Sequence, residues 1–237
     1  MSWTLYQYSD NNALIEELAP KIGSLLRQAI AKRGRASIAV SGGRTPAALF
    51  DALSVQDIPW SLVTITLVDE RWVAESDPAS NARLVHEHLL QNRAALAQFV
   101  GLKSDHEDPF EASVDVQMRL LKRVMPLDLV ILGMGEDGHI ASLLPGAAGL
   151  TEALAPDSQC LCCAILPAQG LPRMTMSLPT LLSADIRILY IVGKERYPAL
   201  VQAMQAGAAE QLPVRAVLHQ AQYPIDIYYA ETGGGAT

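Results

Sequence analysis

A three-layer α/β/α fold on a mainly parallel, Rossmann-like sheet is what this sequence predicts, and three observations predict it. Short apolar runs (Ala36–Val40, Leu62–Val68, Asp128–Leu132, Ile186–Val192) alternate with stretches of helical length. The central run is continuously apolar and too short for a buried helix, as a strand covered on both faces would be. No internal repeat, low-complexity block or linker divides the 237 residues, so one domain over 1–237 is expected, with 230–237 as a flexible tail.

Taken in order, Trp3–Tyr8 reads as a first strand, and Asp10 caps a helix from about Asn11 to Lys32. The strand Ala36–Val40 leads into Ser41-Gly42-Gly43-Arg44-Thr45-Pro46, where Thr45 as N-cap and Pro46 at the first helical position open a helix through Leu53. Leu62–Val68, rich in β-branched residues, is a third strand and ends in Asp69-Glu70-Arg71-Trp72. A loop containing Asp77-Pro78 precedes a helical segment, Asn81–Leu90, and a further helix around Phe110–Val124 precedes the central strand. Beyond it, Leu161–Ile165 and Arg173–Leu178 read as strands and Pro179–Ser183 as a short helix. Ile186–Val192 is a strand, a helix lies near Tyr197–Gln205, and Ile225–Tyr229 is a last strand.

Composition narrows the class of function. Half the residues are apolar and the formal net charge is −7, with no lysine or arginine run to track a phosphate backbone, so a nucleic-acid binder is not expected. A small anion can still be held where a few cations and backbone N–H groups converge. The N-terminal residues show no signal-peptide pattern, and no apolar stretch is long enough to span a bilayer. Cys160, Cys162 and Cys163 crowd into one segment without disulfide or zinc spacing and read as buried thiols. A cytosolic protein is the expectation.

Three strand ends carry the chemistry, and in open α/β sheets ligands sit beyond the carboxyl ends of strands. At the first, Gly42 and Gly43 precede a helix N-terminus, and Ser41, Arg44 and Thr45 add hydroxyls and a charge. This reads as a phosphate cradle or as an ordinary βα turn, but not as a P-loop, whose GxxxxGK[ST] pattern is absent. At the second, Asp69 and Arg71 sit two apart, so both project to one side if the strand continues that far; Arg71 suits a phosphate or oxyanion and Asp69 the orienting of a partner. A surface salt bridge would explain the pair equally well, and Asn81 reads as a helix N-cap.

The third strand end is Gly133-Met134-Gly135-Glu136-Asp137-Gly138-His139. It matches GxGxxG literally, but Pro145-Gly146 interrupts any following helix and Glu136 and Asp137 would repel a pyrophosphate, so a nicotinamide site is rejected. His139 is the candidate proton carrier, with Asp137 placed to fix its tautomer. The other histidines (His86, His88, His106, His219) show no such setting. A GxSxG elbow is absent, and no convincing metal spacing is present.

Together these segments resemble the 6-phosphogluconolactonases of the glucosamine/galactosamine-6-phosphate isomerase superfamily. The likeness runs in order through Ser41–Pro46, Val68–Val73, Ser80-Asn81, Gly133–Pro145 and Arg173–Pro179. The resemblance implies hydrolysis of 6-phospho-D-glucono-1,5-lactone to 6-phospho-D-gluconate in the oxidative pentose phosphate pathway, without a cofactor or metal. It makes His139 the general base and gives the phosphate to the glycine-rich loop and basic residues.

On that reading His139 deprotonates water, and Arg71 or N–H groups near Gly133 and Gly135 stabilise the oxyanion. Ser41, Gly42, Gly43, Arg44 and Thr45 grip the phosphate with Arg173 and Lys194 or Arg196, Asn81 contributes to the substrate site, and Asp69 and Asp137 orient. The family's lysine three residues after the glycine matching Gly193 is Arg196 here, and its aromatic before proline is Leu144. Glucosamine-6-phosphate deaminases resemble the chain less, since they bear a glutamate at the Leu144 position. A sugar-phosphate sensor without catalysis is the alternative of another class, although sensors usually carry an added module that this chain lacks. A monomer or a small homo-oligomer is expected.

Overall fold

A computed structural model of the protein describes residues 3–43 and 45–233. Among the described residues ten strands and eight α-helices follow in the order β1 (Trp3–Asp10), α1 (Asn11–Arg33), β2 (Ala36–Val40), α2 (Ala47–Ser54), β3 (Val63–Leu67), β4 (Asp69–Arg71), α3 (Asn81–Leu84), β5 (Gln98–Val100), α4 (Pro109–Arg123) and β6 (Leu129–Leu132). Then come α5 (Leu150–Leu154), β7 (Cys162–Ile165), β8 (Arg173–Met176), α6 (Leu178–Leu182), β9 (Ile186–Val192), α7 (Tyr197–Ala203), α8 (Arg215–Leu218) and β10 (Ile225–Thr232).

Seven strands form one all-parallel sheet in the order β1-β10-β9-β6-β2-β3-β5. Its inner strands are mostly apolar and buried; Ile38, Val40, Ile65, Val130, Leu132, Ile188 and Leu189 are all within 2% of complete burial. Such strands satisfy their backbone groups in the ladder while covering both faces with helices. The strand order reverses between β2 and β6: the chain builds outward from β2 through β3 to β5, then crosses to β6 and builds the other way through β9 to β10. Loops after the two central strands therefore diverge to opposite sides and leave a crevice between them, the usual ligand position in such sheets. A second, three-stranded antiparallel sheet, β4-β8-β7, overlies this end.

Local sequence explains the main helix. Asp10 accepts from the Ala13 N–H at 3.0 Å, Gly34 closes α1 with φ 76°, and Lys32 and Arg33 complement the helix dipole in the last turn.

Several expectations need correction. Pro46, not Thr45, stands at the N-cap of α2, with no side-chain cap, because Thr45 and Pro46 still form a turn ahead of the helix. Ser80 rather than Asn81 caps α3, its hydroxyl accepting from the Arg83 N–H; the helical segment then widens into a π turn over Val85–Leu89. Residues 69–71 are a short strand of the second sheet instead of a loop. Ala230, Glu231 and Thr232, expected in a tail, extend β10, and Thr232 pairs with Asp10; residues 234–237 lie outside the described residues. Cys162 and Cys163 are buried as expected, with thiols pushed up to about 12 by desolvation, whereas Cys160 precedes the strand and is half-buried. Among the described residues no helix is long and apolar enough to cross a membrane.

At the end of the sheet remote from the crevice, buried Asp128 ties β6 to β2 and α1. Its carboxylate accepts from the Ser37 N–H at 2.7 Å and pairs with Arg33. Asp128→Ala leaves a half-buried guanidinium and a backbone donor without their anion, and should lower unfolding free energy by ~2–4 kcal/mol in urea titrations. A loss below ~0.5 kcal/mol, the range of ordinary surface changes, would show that water replaces the carboxylate.

Candidate active site

The crevice at the strand-order reversal is lined by the ends of β2, β6 and β9, and by side chains from the smaller sheet. Its floor is a direct link between the two central loops. The Ser41 N–H donates to the Ile131 carbonyl at 3.0 Å, and the Gly133 N–H donates to Ser41 Oγ at 2.9 Å. Ser41, Gly42, Gly43 and Thr45 thus share a wall with Gly133, Met134, Gly135 and His139. Arg44 lies outside the described residues.

His139 and Asp137 form a contact pair, Nδ1 to Oδ1 at 2.5 Å, reinforced by the His139 N–H donating to the same oxygen at 3.2 Å. A carboxylate only accepts, so Nδ1 carries the proton and Nε2 is left with its lone pair in the neutral ring. The hydrogen bond from His139 holds the Asp137 carboxyl below its ordinary value, against partial burial. A Cβ on Gly135 would sit 2.3 Å from the imidazole ring, so only glycine leaves room for the pair. The loop closes through the Gly135 N–H donating to the His139 carbonyl at 2.9 Å.

A neighbouring carboxylate does not by itself distinguish His139. His86, His88 and His106 also pair with Glu75, Asp51 and Asp115 on the surface. The distinction is place: of the five histidines, His139 alone lines the crevice.

The opposite wall comes from β4 and β8. Strand alternation sends Asp69 and Arg71 into the crevice and turns Glu70 away from it, as the two-residue spacing predicts. Glu70, almost fully buried, accepts from the backbone N–H groups of Arg71, Asn81 and Ala82 at 2.7–2.8 Å and from Ser80 Oγ at 3.1 Å. Burial raises its carboxyl while these bonds oppose the rise. Asn81 is thereby fixed to bridge Asp69 and Arg71: Nδ2 donates to the Asp69 carbonyl at 2.9 Å, and Oδ1 accepts from Arg71 Nη1 at 2.7 Å. Gly42 packs against this amide, where a Cβ would lie 1.9 Å from Oδ1.

Arg71 and Arg173 face each other as a cross-strand pair in the β4–β8 ladder. Like charges directly opposite destabilise a sheet, so this pairing favours the binding of an anion that neutralises it. Burial lowers the Arg173 guanidinium from its ordinary value, Arg71 pushes it the same way, and Asp69 and Asp137 resist. The Nε atoms of both arginines are buried without a partner.

Buried Asp69 also accepts from Ser142 Oγ at 2.5 Å, and Ser142 in turn lies 3.4 Å from Arg173 Nη1. Ser142 was not evident as a site residue, although it is the lone polar residue in Ile140-Ala141-Ser142-Leu143-Leu144. Ala141 lines the crevice with φ 48°, a left-handed backbone that non-glycine residues rarely adopt and that nothing in its sequence announces.

The two remaining cations part company. Arg196 lines the crevice beside Val192, whose carbonyl accepts from Nη1 at 2.7 Å. Lys194 is excluded from it. Its side chain is 71% exposed, in an adjoining hollow and 3.7 Å from Glu231. The N–H groups of Gly133 and Gly135, considered as oxyanion donors, are already engaged by Ser41 and the His139 carbonyl. Among the described residues no three His, Cys, Asp or Glu side chains converge to hold a metal ion.

Residues 9–225 match the family described as "Glucosamine-6-phosphate isomerases/6-phosphogluconolactonase". The chain is 42% identical over 231 residues to a 6-phosphogluconolactonase of Rhizobium meliloti, covering 97% of this chain and all of that one. It is 40% identical to the 6-phosphogluconolactonase of Mesorhizobium japonicum, over 97% of this chain and 96% of the relative. A crystal structure of a 6-phosphogluconolactonase from Shewanella baltica superposes with a TM-score of 0.91 at 41% identity, covering 96% and 97% of the two chains.

The depressed carboxyl of Asp137 carries a sign. Any stability it lends is present above the unfolded carboxylate value and is lost as pH falls through the lower folded value. Carboxyl NMR should therefore place the Asp137 midpoint below ~3.9, and His139→Ala should return it upward toward that value. An unchanged midpoint in the variant would remove the hydrogen bond as its cause.

Proposed function

The chain belongs to the glucosamine-6-phosphate isomerase/6-phosphogluconolactonase family, and we infer that it acts as a hydrolase opening 6-phospho-D-glucono-1,5-lactone to 6-phospho-D-gluconate. One observation carries this: an imidazole oriented by a carboxylate shares a crevice with Ser41, Gly42, Gly43 and Thr45 and with three arginines. The substrate has the matching parts, an ester carbonyl at one end and a dianionic phosphate at the other. In this reading the reaction is a cytosolic step of the oxidative pentose phosphate pathway.

A lactone carbonyl is reactive enough that an activated water suffices. Nε2 of His139 takes a proton from water as the oxygen attacks C1, and Asp137 stabilises the imidazolium that forms. Arg71 and Arg173, preorganised by Asp69, Glu70, Asn81 and Ser142, stabilise the developing oxyanion in place of the engaged glycine N–H groups. Collapse of the tetrahedral intermediate breaks the C1–ring oxygen bond, and the imidazolium returns its proton to the departing oxygen. Ser41, Gly42, Gly43, Arg44 and Thr45 hold the phosphate, with Arg196 closing over it. Arg196 fits this role because it lines the adjoining hollow together with Thr45 as well as the crevice itself.

The deaminase relatives' glutamate is absent here; Leu144 at that place packs half-buried against the core. Ring opening by proton shuttling through that carboxylate is thereby unsupported.

Two measurements test the reading on freshly generated substrate. His139→Ala should lower kcat by roughly 10²–10⁴-fold with KM changed little. The wild-type protein should prefer the phosphorylated over the unphosphorylated lactone by at least ~10²-fold in kcat/KM, the worth of a pair of charge-assisted hydrogen bonds. Hydrolysis no faster than the spontaneous rate, or ammonia release from glucosamine 6-phosphate, would overturn it.

A further inference from the structure

Helix α4 presents two apolar faces where one would suffice. Pro109, Ala112, Val116 and Leu120 are buried, the helix packing on β5, β7 and β8. On the other side Phe110, Val114, Met118 and Leu121 are exposed by 46%, 65%, 60% and 58%. At 3.6 residues per turn these four fall in one stripe ~80° wide along the whole helix. Single exposed hydrophobes are ordinary, but an aligned row of four large ones marks a contact surface.

The stripe is self-complementary when reversed. About a point near residue 116, Val114 reflects onto Met118, Phe110 onto Leu121, and Glu111 onto Lys122. One charge pair follows the same reversal, with Glu111 in the first turn and Lys122 in the last. Glu111 and Lys122 also lie on the same flank of the stripe. In two helices related by a perpendicular twofold, equivalent flanks face each other, so Glu111 of each copy meets Lys122 of the other. Parallel pairing would put equivalent flanks on opposite sides of the seam, so Glu111 would meet no Lys122, and an unrelated partner would have no reason to match this symmetry.

We propose that α4 is the self-association face of this protein, and that two copies pair antiparallel through it. Val114 packs against Met118, Phe110 against Leu121, and two Glu111–Lys122 ion pairs flank the seam. No α4 residue lines the crevice, so both copies keep their sites open. One helix per copy makes a small interface, and the association is reversible.

Sedimentation of the full chain from ~1 to ~500 μM tests this, since so small an interface belongs to the weak, reversible class. A monomer–dimer equilibrium is expected. Val114→Glu should raise Kd at least ~10-fold, because the change enters the seam twice. Glu111→Lys and Lys122→Glu should each weaken the dimer by ~3–10-fold, and the double reversal should restore it to within ~3-fold of wild type. Lactone hydrolysis per chain should stay unchanged in every variant, showing that each is folded. A monomer throughout the range, a dimer indifferent to Val114→Glu, or a double reversal as weak as its parents combined would overturn the proposal.

Discussion

Two adjacent carboxylates with almost no access to water, Asp69 and Glu70, set the polar geometry of the crevice. Each is costly to bury, and each is tolerated because donors surround it. Glu70 gathers the start of α3 and fixes Asn81; Asp69 receives Ser142 and lies near Arg173. The consequence is a rigid frame in which Arg71 and Arg173 stand side by side against their mutual repulsion. An acidic protein thereby holds a local cationic field where its substrate needs one, without a surface charge run that would attract polyanions.

The histidine side of the crevice obeys a different constraint, which is space. The strand order reverses between β2 and β6, whose loops stay linked at their starts through Ser41 and Gly133, and glycines at 42 and 135 leave room for the groups packed against them. Gly135 accommodates the His139–Asp137 pair and Gly42 accommodates the Asn81 amide. Each glycine makes room for a member of one of the two walls, which couples the phosphate turn to the arginine frame. The α4 surface lies apart from this arrangement and draws on none of it.

Much of this was legible in the sequence. β2 and β9 were read to the residue and α1 to within one, because long apolar periodicity and the Asp10 cap dominate locally. Asp69, Arg71, Arg173, Asp137 and His139 were read as site residues, and they do converge. The missing pieces share a physical cause. β4 and β5 are three residues each, too short to show a period, and β4 is an all-polar Asp-Glu-Arg run that resembles a loop. Cap positions shifted by one at both helices: at α3 Ser80 rather than Asn81 takes the orphan Arg83 N–H, and at α2 Pro46 stands at the cap with no side-chain acceptor at all. Ser142 and Glu70 act through partners distant in sequence, and the choice of Arg196 over Lys194 depends on which side chain the turn after Gly193 directs inward. No local pattern encodes either.

A crystal structure with 6-phospho-D-gluconate bound tests the central claim most directly. The account predicts the phosphate against the turn after β2 and Arg196, with the C1 carboxylate within ~2.6–3.2 Å of His139 Nε2 and facing Arg71 and Arg173. A product bound the other way round, with its phosphate beside the imidazole, or a ring of His139 turned out of the crevice when the site is filled, would contradict it.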